Sequence, residues 1–294
     1  MKRKGSVIAC VLLVLTLALT GCGFFMESSE DPPAASRKPT EEQTTVIRDP
    51  NGMPVPIYED VDRTELDPEK FYKDEKGRIA YEDPDVVLYH GIDVSAFQEE
   101  IDWQAVKDDG IDFVMLRAGG RGWGDKGILY QDKMFKTNYT EATKAGLKVG
   151  VYFFSQALSV EEAEEEANYL LDLIKNLQLT YPIAYDWEHI EDEPEARTNN
   201  VPKATITACA CKFLDVIHDA GYDPVLYFSR KLGYFYYDLS LVKDYDFWLA
   251  EFTESPAFIY TYKIWQYSDC GTVNGINGTV DLNVSYVDFS QEMK

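Results

Sequence analysis

The chain has 294 residues, of which 45% are hydrophobic and 14% aromatic, enough for one sizeable core with segments to spare. Its 51 Asp and Glu outweigh 28 Lys and Arg and leave a formal charge of −23. That balance argues against a protein that grips nucleic-acid phosphates and against adsorption on anionic lipid, and fits a soluble, self-repelling surface expected of a monomer.

In chain order, "MKRKGS" is a basic leader and "VIACVLLVLTLALTG" an apolar run ending in small residues. The run is short for a spanning helix, which needs roughly 20 residues, and reads as a signal peptide over residues 1–22. Leu19-Thr20-Gly21-Cys22 resembles the bacterial lipobox. The resemblance implies cleavage before Cys22, lipid on that cysteine, and a protein held on the extracytoplasmic face of the cell membrane. A plain secretory signal and an uncleaved anchor are the alternatives. Residues 23–84, rich in Pro, Ser, Thr and Glu with scattered aromatics, read as a flexible acidic linker; their later part could instead wrap the domain edge or form a hairpin at Lys76-Gly77. Beyond Cys10 and Cys22, Cys209, Cys211 and Cys270 remain. They show no metal spacing or disulfide framework and are expected to be small apolar packing.

From residue 85 to 294 the pattern becomes a folded domain. "VVLYHGIDVS" is a first strand, "IDWQAVKDDG" a short helix stopped by Gly110, and "IDFVMLRAGG" a strand running into a glycine-rich loop. "YQDKMFKTNYTEATKAG" reads as helix, "LKVGVYFFSQA" as strand, and "SVEEAEEEANYLLDLIKNL" as a helix capped by Ser159 and Glu162. "YPIAYDWE" is the next strand, followed by the helix "KATITACACKFLDVIHDAG" and the strands "DPVLYFS", "DFWLAEF" and "YKIWQYS". "NGTVDLNVS" supplies a last strand. Strand–helix alternation with continuous apolar strands predicts an α/β fold, a mainly parallel sheet covered by helices. About eight strands, with helices fading late, point to a single shortened (β/α) barrel, with an open doubly wound sheet as the alternative. No Gly-x-Gly-x-x-Gly follows the first strand, which disfavours a dinucleotide fold.

In such barrels the active site gathers at the C-terminal strand ends. Standing there are Asp93, Arg117, Phe154, Gln156, Asp186, Glu188, Tyr227, Ser229, Glu251, Gln266, Asp281 and Asn283. Trp187, Trp265, Tyr152, Tyr227 and Tyr267 would be the aromatic wall. On a strand, Asp186 and Glu188 share a face, and like charges that close push one pKa upward. Glycoside hydrolysis needs such a pair: one protonated acid for the leaving oxygen and one charge for the oxocarbenium-like centre. Alone, Asp-x-Glu is a weak signal, equally explained by a loop or helix-cap acid and a solvated neighbour. Placement beside Asp93 and Asp281 strengthens it. Glu191, Asp192, Glu193 and Glu195, closed off by Pro194, read as a solvated loop.

The segments "GIDVSAFQEEIDW", "FVMLRAGG", "KVGVYFFS", "YPIAYDWE", "LYFS", "FWLAEF" and "YKIWQYSDCGTVNGINGTVDLN" together resemble the glycoside hydrolase family 25 lysozymes from about residue 88 to 289. The resemblance implies a flattened TIM-like barrel of eight strands and five helices. It implies an N-acetylmuramidase that cuts the β-1,4 bond between N-acetylmuramic acid and N-acetylglucosamine in peptidoglycan, without cofactor or metal. By position, Glu188 resembles the family's general acid/base, Asp186 the carboxylate that orients or stabilises the reacting centre, and Asp93 and Asp281 the remaining acids. Tyr152, Tyr227, Trp265 and Gln266 would shape sugar subsites, with Arg117 binding sugar or steadying the carboxylates. Phe154 stands where members often carry His, Glu99 where many carry Gly, and "RAGGRGWGDKG" departs from the usual loop pattern. Competing readings are a magnesium hydrolase using the acids, a non-catalytic glycan-binding lipoprotein, and a hydrolase of another N-acetylated polysaccharide.

Overall fold

The computed structural model describes residues 46–190 and 193–292. The signal peptide, Cys22, residues 23–45 of the expected linker, and Glu191 and Asp192 lie outside the described residues. Strands β1 (Val46–Arg48) and β2 (Pro54–Pro56) form one antiparallel pair, and β3 (Phe71–Lys73) and β4 (Ile79–Tyr81) another. Then follow β5 (Tyr89–Val94), α1 (Trp103–Asp108), β6 (Phe113–Arg121), β7 (Leu129–Gln131), α2 (Phe135–Lys144), β8 (Lys148–Ser155), α3 (Val160–Ile174) and β9 (Ile183–Trp187). The chain continues through α4 (Lys203–Asp219), β10 (Pro224–Ser229), α5 (Arg230–Phe235), α6 (Leu239–Val242), β11 (Asp246–Ala250), β12 (Ile264–Gly271), β13 (Val280–Ser285) and α7 (Phe289–Glu292).

Eight strands run in the order β5-β13-β12-β11-β10-β9-β8-β6, and β6 pairs back onto β5, so the sheet closes. Closure excludes the doubly wound alternative. β13 is antiparallel to both neighbours because a short connection, 272–279, returns it from β12 as a hairpin. β7 hangs antiparallel on β6, inside a stretch expected to be helical; the helix starts only at Phe135. No helix separates β11 from β12, as the sequence pattern indicates.

Alternation sorts the side chains. Ile92, Val114, Val151, Tyr185, Leu226 and Leu249 point outward into the layer covered by helices. Phe113, Met115, Ala184, Val225, Trp248 and Ile264 point inward and, with Tyr181 and Phe289, plug the end of the barrel where the parallel strands begin. Gly91 is required here: a Cβ on it would lie 2.2 Å from the Phe113 ring. With that end plugged, only the opposite end is open for polar groups.

The stretch expected to be a linker up to residue 84 is folded from Val46 onward. Val55 and Ile79 are fully buried, each worth roughly 1.5–3 kcal/mol. Tyr58 Oη donates to Tyr237 O at 3.0 Å and accepts from Lys203 Nζ at 2.7 Å, and Arg78 pairs with Asp109 at 2.6 Å. A hairpin turns at Gly77, φ +76°. Single anchors spaced along short hairpins leave no periodic signal, which is why composition alone read this segment as linker. Of the cysteines, Cys209 is buried as expected, but Cys270 is exposed beside the Ser268 hydroxyl.

Candidate active site

Strand alternation that plugs one barrel end carries acids to the other. Ala184 lies in the plug, so Asp186 and Glu188 also face inward, two and four residues further along. Across the ladders Asp186 stands opposite Phe154 on β8 and Tyr227 on β10, while Asp93 on β5 stands opposite Asp281 on β13. These groups, with Arg117, Tyr152, Gln266, Trp248 and Phe252, line a cavity of about 240 Å³. Size does not single it out. A cleft of about 880 Å³ lies beneath the other barrel end, but it carries none of the converged strand-end acids.

The four carboxyls form two pairs. Asp93 is 6% exposed, and its Oδ2 accepts from Gln266 Nε2 at 2.8 Å and Asn283 Nδ2 at 2.7 Å. Burial raises its pKa, and these two bonds oppose the rise. Its partner Asp281 is pushed up to about 9, first by burial and then by the Asp93 charge. Asp186, also 6% exposed, is raised well above the usual carboxylate range, first by burial and then by the charge of Glu188. Its Oδ1 is buried with no hydrogen-bond partner among the described residues. Glu188 is half-buried. Burial and the neighbouring Glu188 charge thus both favour the protonated form of Asp186.

The surrounding groups are fixed in turn. Tyr227 Oη donates to Gln266 Oε1 at 2.9 Å, and Trp248 Nε1 donates to Asn283 Oδ1 at 2.8 Å, so both amides that hold Asp93 are themselves held. The Trp248 ring meets Tyr227 edge-on at 4.8 Å. Arg117 Nε pairs with Asp132 at 2.9 Å, and its guanidinium lies 5.1 Å from the exposed Phe97 ring. Burial works against the Arg117 charge, but Tyr152, Tyr130 and Asp132 outweigh it and raise its pKa. Arg117 thus borders the cavity while its direct ion pair goes to Asp132.

Of the residues expected at the site, Asp93, Asp186, Glu188, Asp281, Arg117, Tyr152, Tyr227 and Gln266 line the cavity, and Trp265 does not. Trp265 and Gln266 are adjacent on β12 and cannot face the same side. Gln266 faces inward. Trp265 faces outward, fully buried, with its Nε1 on Glu251 O at 2.9 Å and Phe71 of the N-terminal hairpin against it at 5.3 Å. Trp187 and Tyr267 also belong to the outer core. Glu251 pairs with Arg230 at 2.7 Å outside the cavity. Trp248 and Phe252 were not expected; counting alternate residues back along β11 from inward-facing Ala250 would have found Trp248. Glu99 holds φ +55°, a left-handed value that favours glycine, in the turn after β5. Glu195 is exposed and Glu193 half-buried.

Sequence and structure comparisons agree on what this arrangement is similar to. The profile of the glycosyl hydrolases family 25 matches residues 92–276. An autolytic lysozyme of Clostridium acetobutylicum is 33% identical over 197 residues, covering 66% of this chain and 54% of that protein. Lysozyme M1 of Streptomyces globisporus is 28% identical over 209 residues, 66% of each. The autolysin LytC of Streptococcus pneumoniae, solved with a synthetic peptidoglycan ligand, superposes with a TM-score of 0.58 at 25% identity, over 83% of this chain and 57% of that one. The chain thus spans about half the length of the clostridial and pneumococcal proteins. With the profile covering well over half of its residues, the chain belongs to glycosyl hydrolases family 25.

Proposed function

We propose that this chain is a peptidoglycan muramidase that hydrolyses the β-1,4 bond between N-acetylmuramic acid and N-acetylglucosamine. The carrying observation is the Asp186–Glu188 pair at a strand end, set against the Asp93–Asp281 pair on the same rim of a family 25 barrel. Asp186 Oδ1 is an acceptor without a donor. An acetamido N–H reaching it would favour the charged form of Asp186, while a glycosidic oxygen beside Glu188 is an acceptor that needs a proton. Docked substrate therefore moves the shared proton from Asp186 to Glu188. Glu188 then protonates the leaving oxygen as the C–O bond breaks, and later takes a proton from the water that completes hydrolysis. Asp186, steadied by Asp93 and Asp281, holds the positive charge that develops at the anomeric carbon.

Mass spectrometry of fragments released from purified peptidoglycan tests this reading. Muramic acid at the new reducing end is expected; glucosamine there makes the chain a glucosaminidase, and no fragments make it a binding module. Activity unchanged by EDTA separates it from a metal hydrolase. The lipobox-like Leu19-Thr20-Gly21-Cys22 supports placing the enzyme on the outer face of the cell membrane through lipidated Cys22. Cys22→Ala is then expected to move the protein from the membrane fraction.

A further inference from the structure

Glu188 is the first residue past the end of β9, and a buried side chain holds its carbonyl. Gln156 Nε2 donates to Glu188 O at 2.9 Å and to Ser155 O at 2.9 Å, and its Oε1 accepts from Thr198 Oγ1 at 3.0 Å. Both side chains are fully buried. The arrangement has one orientation: a reversed amide would set Oε1 against two carbonyl oxygens. Thr198 Oγ1 also lies 3.4 Å from Glu188 O, but its single proton goes to the shorter contact. The same turn grips the other side of the strand end, where Trp187 Nε1 donates to Ala157 O at 3.1 Å. The turn is anchored in its own right: Ser155 Oγ donates to Glu166, which Arg121 Nε meets at 2.7 Å.

We propose that Gln156, locked by Thr198, is a positioning residue that fixes the main chain of Glu188 and so keeps its carboxyl beside Asp186. The inference rests on Glu188 as the proton donor. Removing the clamp frees a residue whose geometry the reaction depends on, and displacements of about 1 Å cost roughly 10²-fold in rate. The groups that face the Asp186–Glu188 pair are Asp93, Arg117, Tyr130, Tyr152, Tyr227, Tyr237 and Asp281. The side-chain bonds of Gln156 and Thr198 go to none of them. Glu166, pushed to about 7 by burial, accepts from the Gln156 backbone N–H at 3.4 Å and gives a separate titration.

Three variants test the clamp: Gln156→Leu, the milder Thr198→Val, and Thr198→Ser, which keeps the hydroxyl. Expected on peptidoglycan are a fall in kcat of about 10²-fold for Gln156→Leu and about 10-fold for Thr198→Val, little change in KM, and parental kcat for Thr198→Ser. Carboxyl-carbon NMR should show Asp186 titrating nearer the ordinary range in Gln156→Leu and Thr198→Val, because the Glu188 charge is no longer held beside it. Folded variants with parental kcat overturn the proposal. So does a loss of kcat with an unmoved Asp186 titration, which would mark a merely structural role. If the parent releases no fragments, the muramidase reading fails, and the NMR titration alone still decides whether the clamp exists.

Discussion

The two carboxyl pairs on the rim are built differently. Asp93 and Asp281 meet across two antiparallel strands, and Asp93 accepts from two amides that are themselves tethered by Trp248 and Tyr227. Asp186 and Glu188 meet along one strand, and Asp186 keeps a buried oxygen without a donor. A satisfied carboxyl contributes a fixed charge environment and gains little from a ligand. An unsatisfied one, where burial costs about 1–3 kcal/mol, is stabilised by whatever brings a donor to it. Under the proposed mechanism, this contrast fits substrate contact at Asp186 and Glu188, and field and alignment at Asp93 and Asp281.

The sharpest way to break this comparison is to remove each charge without changing shape. Glu188→Gln is expected to reduce peptidoglycan solubilisation by ~10²–10⁴-fold, the range for a lost general acid. Asp186→Asn should fall in the same range yet melt no lower than the parent near neutral pH, because it removes a buried group whose ionisation burial opposes. Release of soluble muropeptides, measured beside melting curves, checks both. Parental activity in a folded Glu188→Gln protein would refute the assignment.

The sequence showed the Asp186–Glu188 pair because its construction is local: two residues apart on a strand is one face, whatever the rest of the chain does. The Asp93–Asp281 pair depends on the register of strands nearly two hundred residues apart: strand-end placement put both acids on the rim but could not pair them. The same distinction explains the errors. Trp265 was placed at the site because it stands at a strand end, although its neighbour Gln266 already occupied the inward face. Trp248 was passed over because it sits one inward position deeper, where it both caps the plug and closes the cavity floor. The barrel was legible because continuous apolar strands and capped helices repeat. The folded stretch from Val46 was legible only as an alternative, the hairpin at Lys76-Gly77, because isolated anchors such as Tyr58, bonded to Tyr237 far along the chain, leave no periodic pattern.

If the second pair is the satisfied one, its supports should matter to stability. Asn283→Leu deprives Asp93 of a bond and leaves the Trp248 Nε1 donor unpaired in the core. Two such losses at about 1–3 kcal/mol each predict a clear drop in melting midpoint. Urea unfolding at pH 7 measures it. A loss below about 0.5 kcal/mol would mean that the network around Asp93 is no better satisfied than Asp186, and the two pairs would cease to differ in kind.

The smallest effect is the most specific to the cross-strand pair. The Asp281 carboxyl titrates at about 9 in the fold, against 3.8 for an ordinary Asp. Between those values the folded protein keeps a proton that the unfolded chain has released. Protons then favour folding, so stability falls as pH rises through this window, and the full penalty stands above about pH 9. Asp93 stays raised by its own burial, while Asp281→Asn removes the titrating group. Its melting midpoint should match the parent near pH 4 and exceed it at about pH 8, where each kcal/mol gained appears as roughly 2–4 °C. Midpoints followed by circular dichroism from about pH 4 to pH 9 would show the two curves separating upward. Parallel curves would mean that Asp281 ionises freely, and that the rim holds one strained carboxyl pair, Asp186 with Glu188, rather than two.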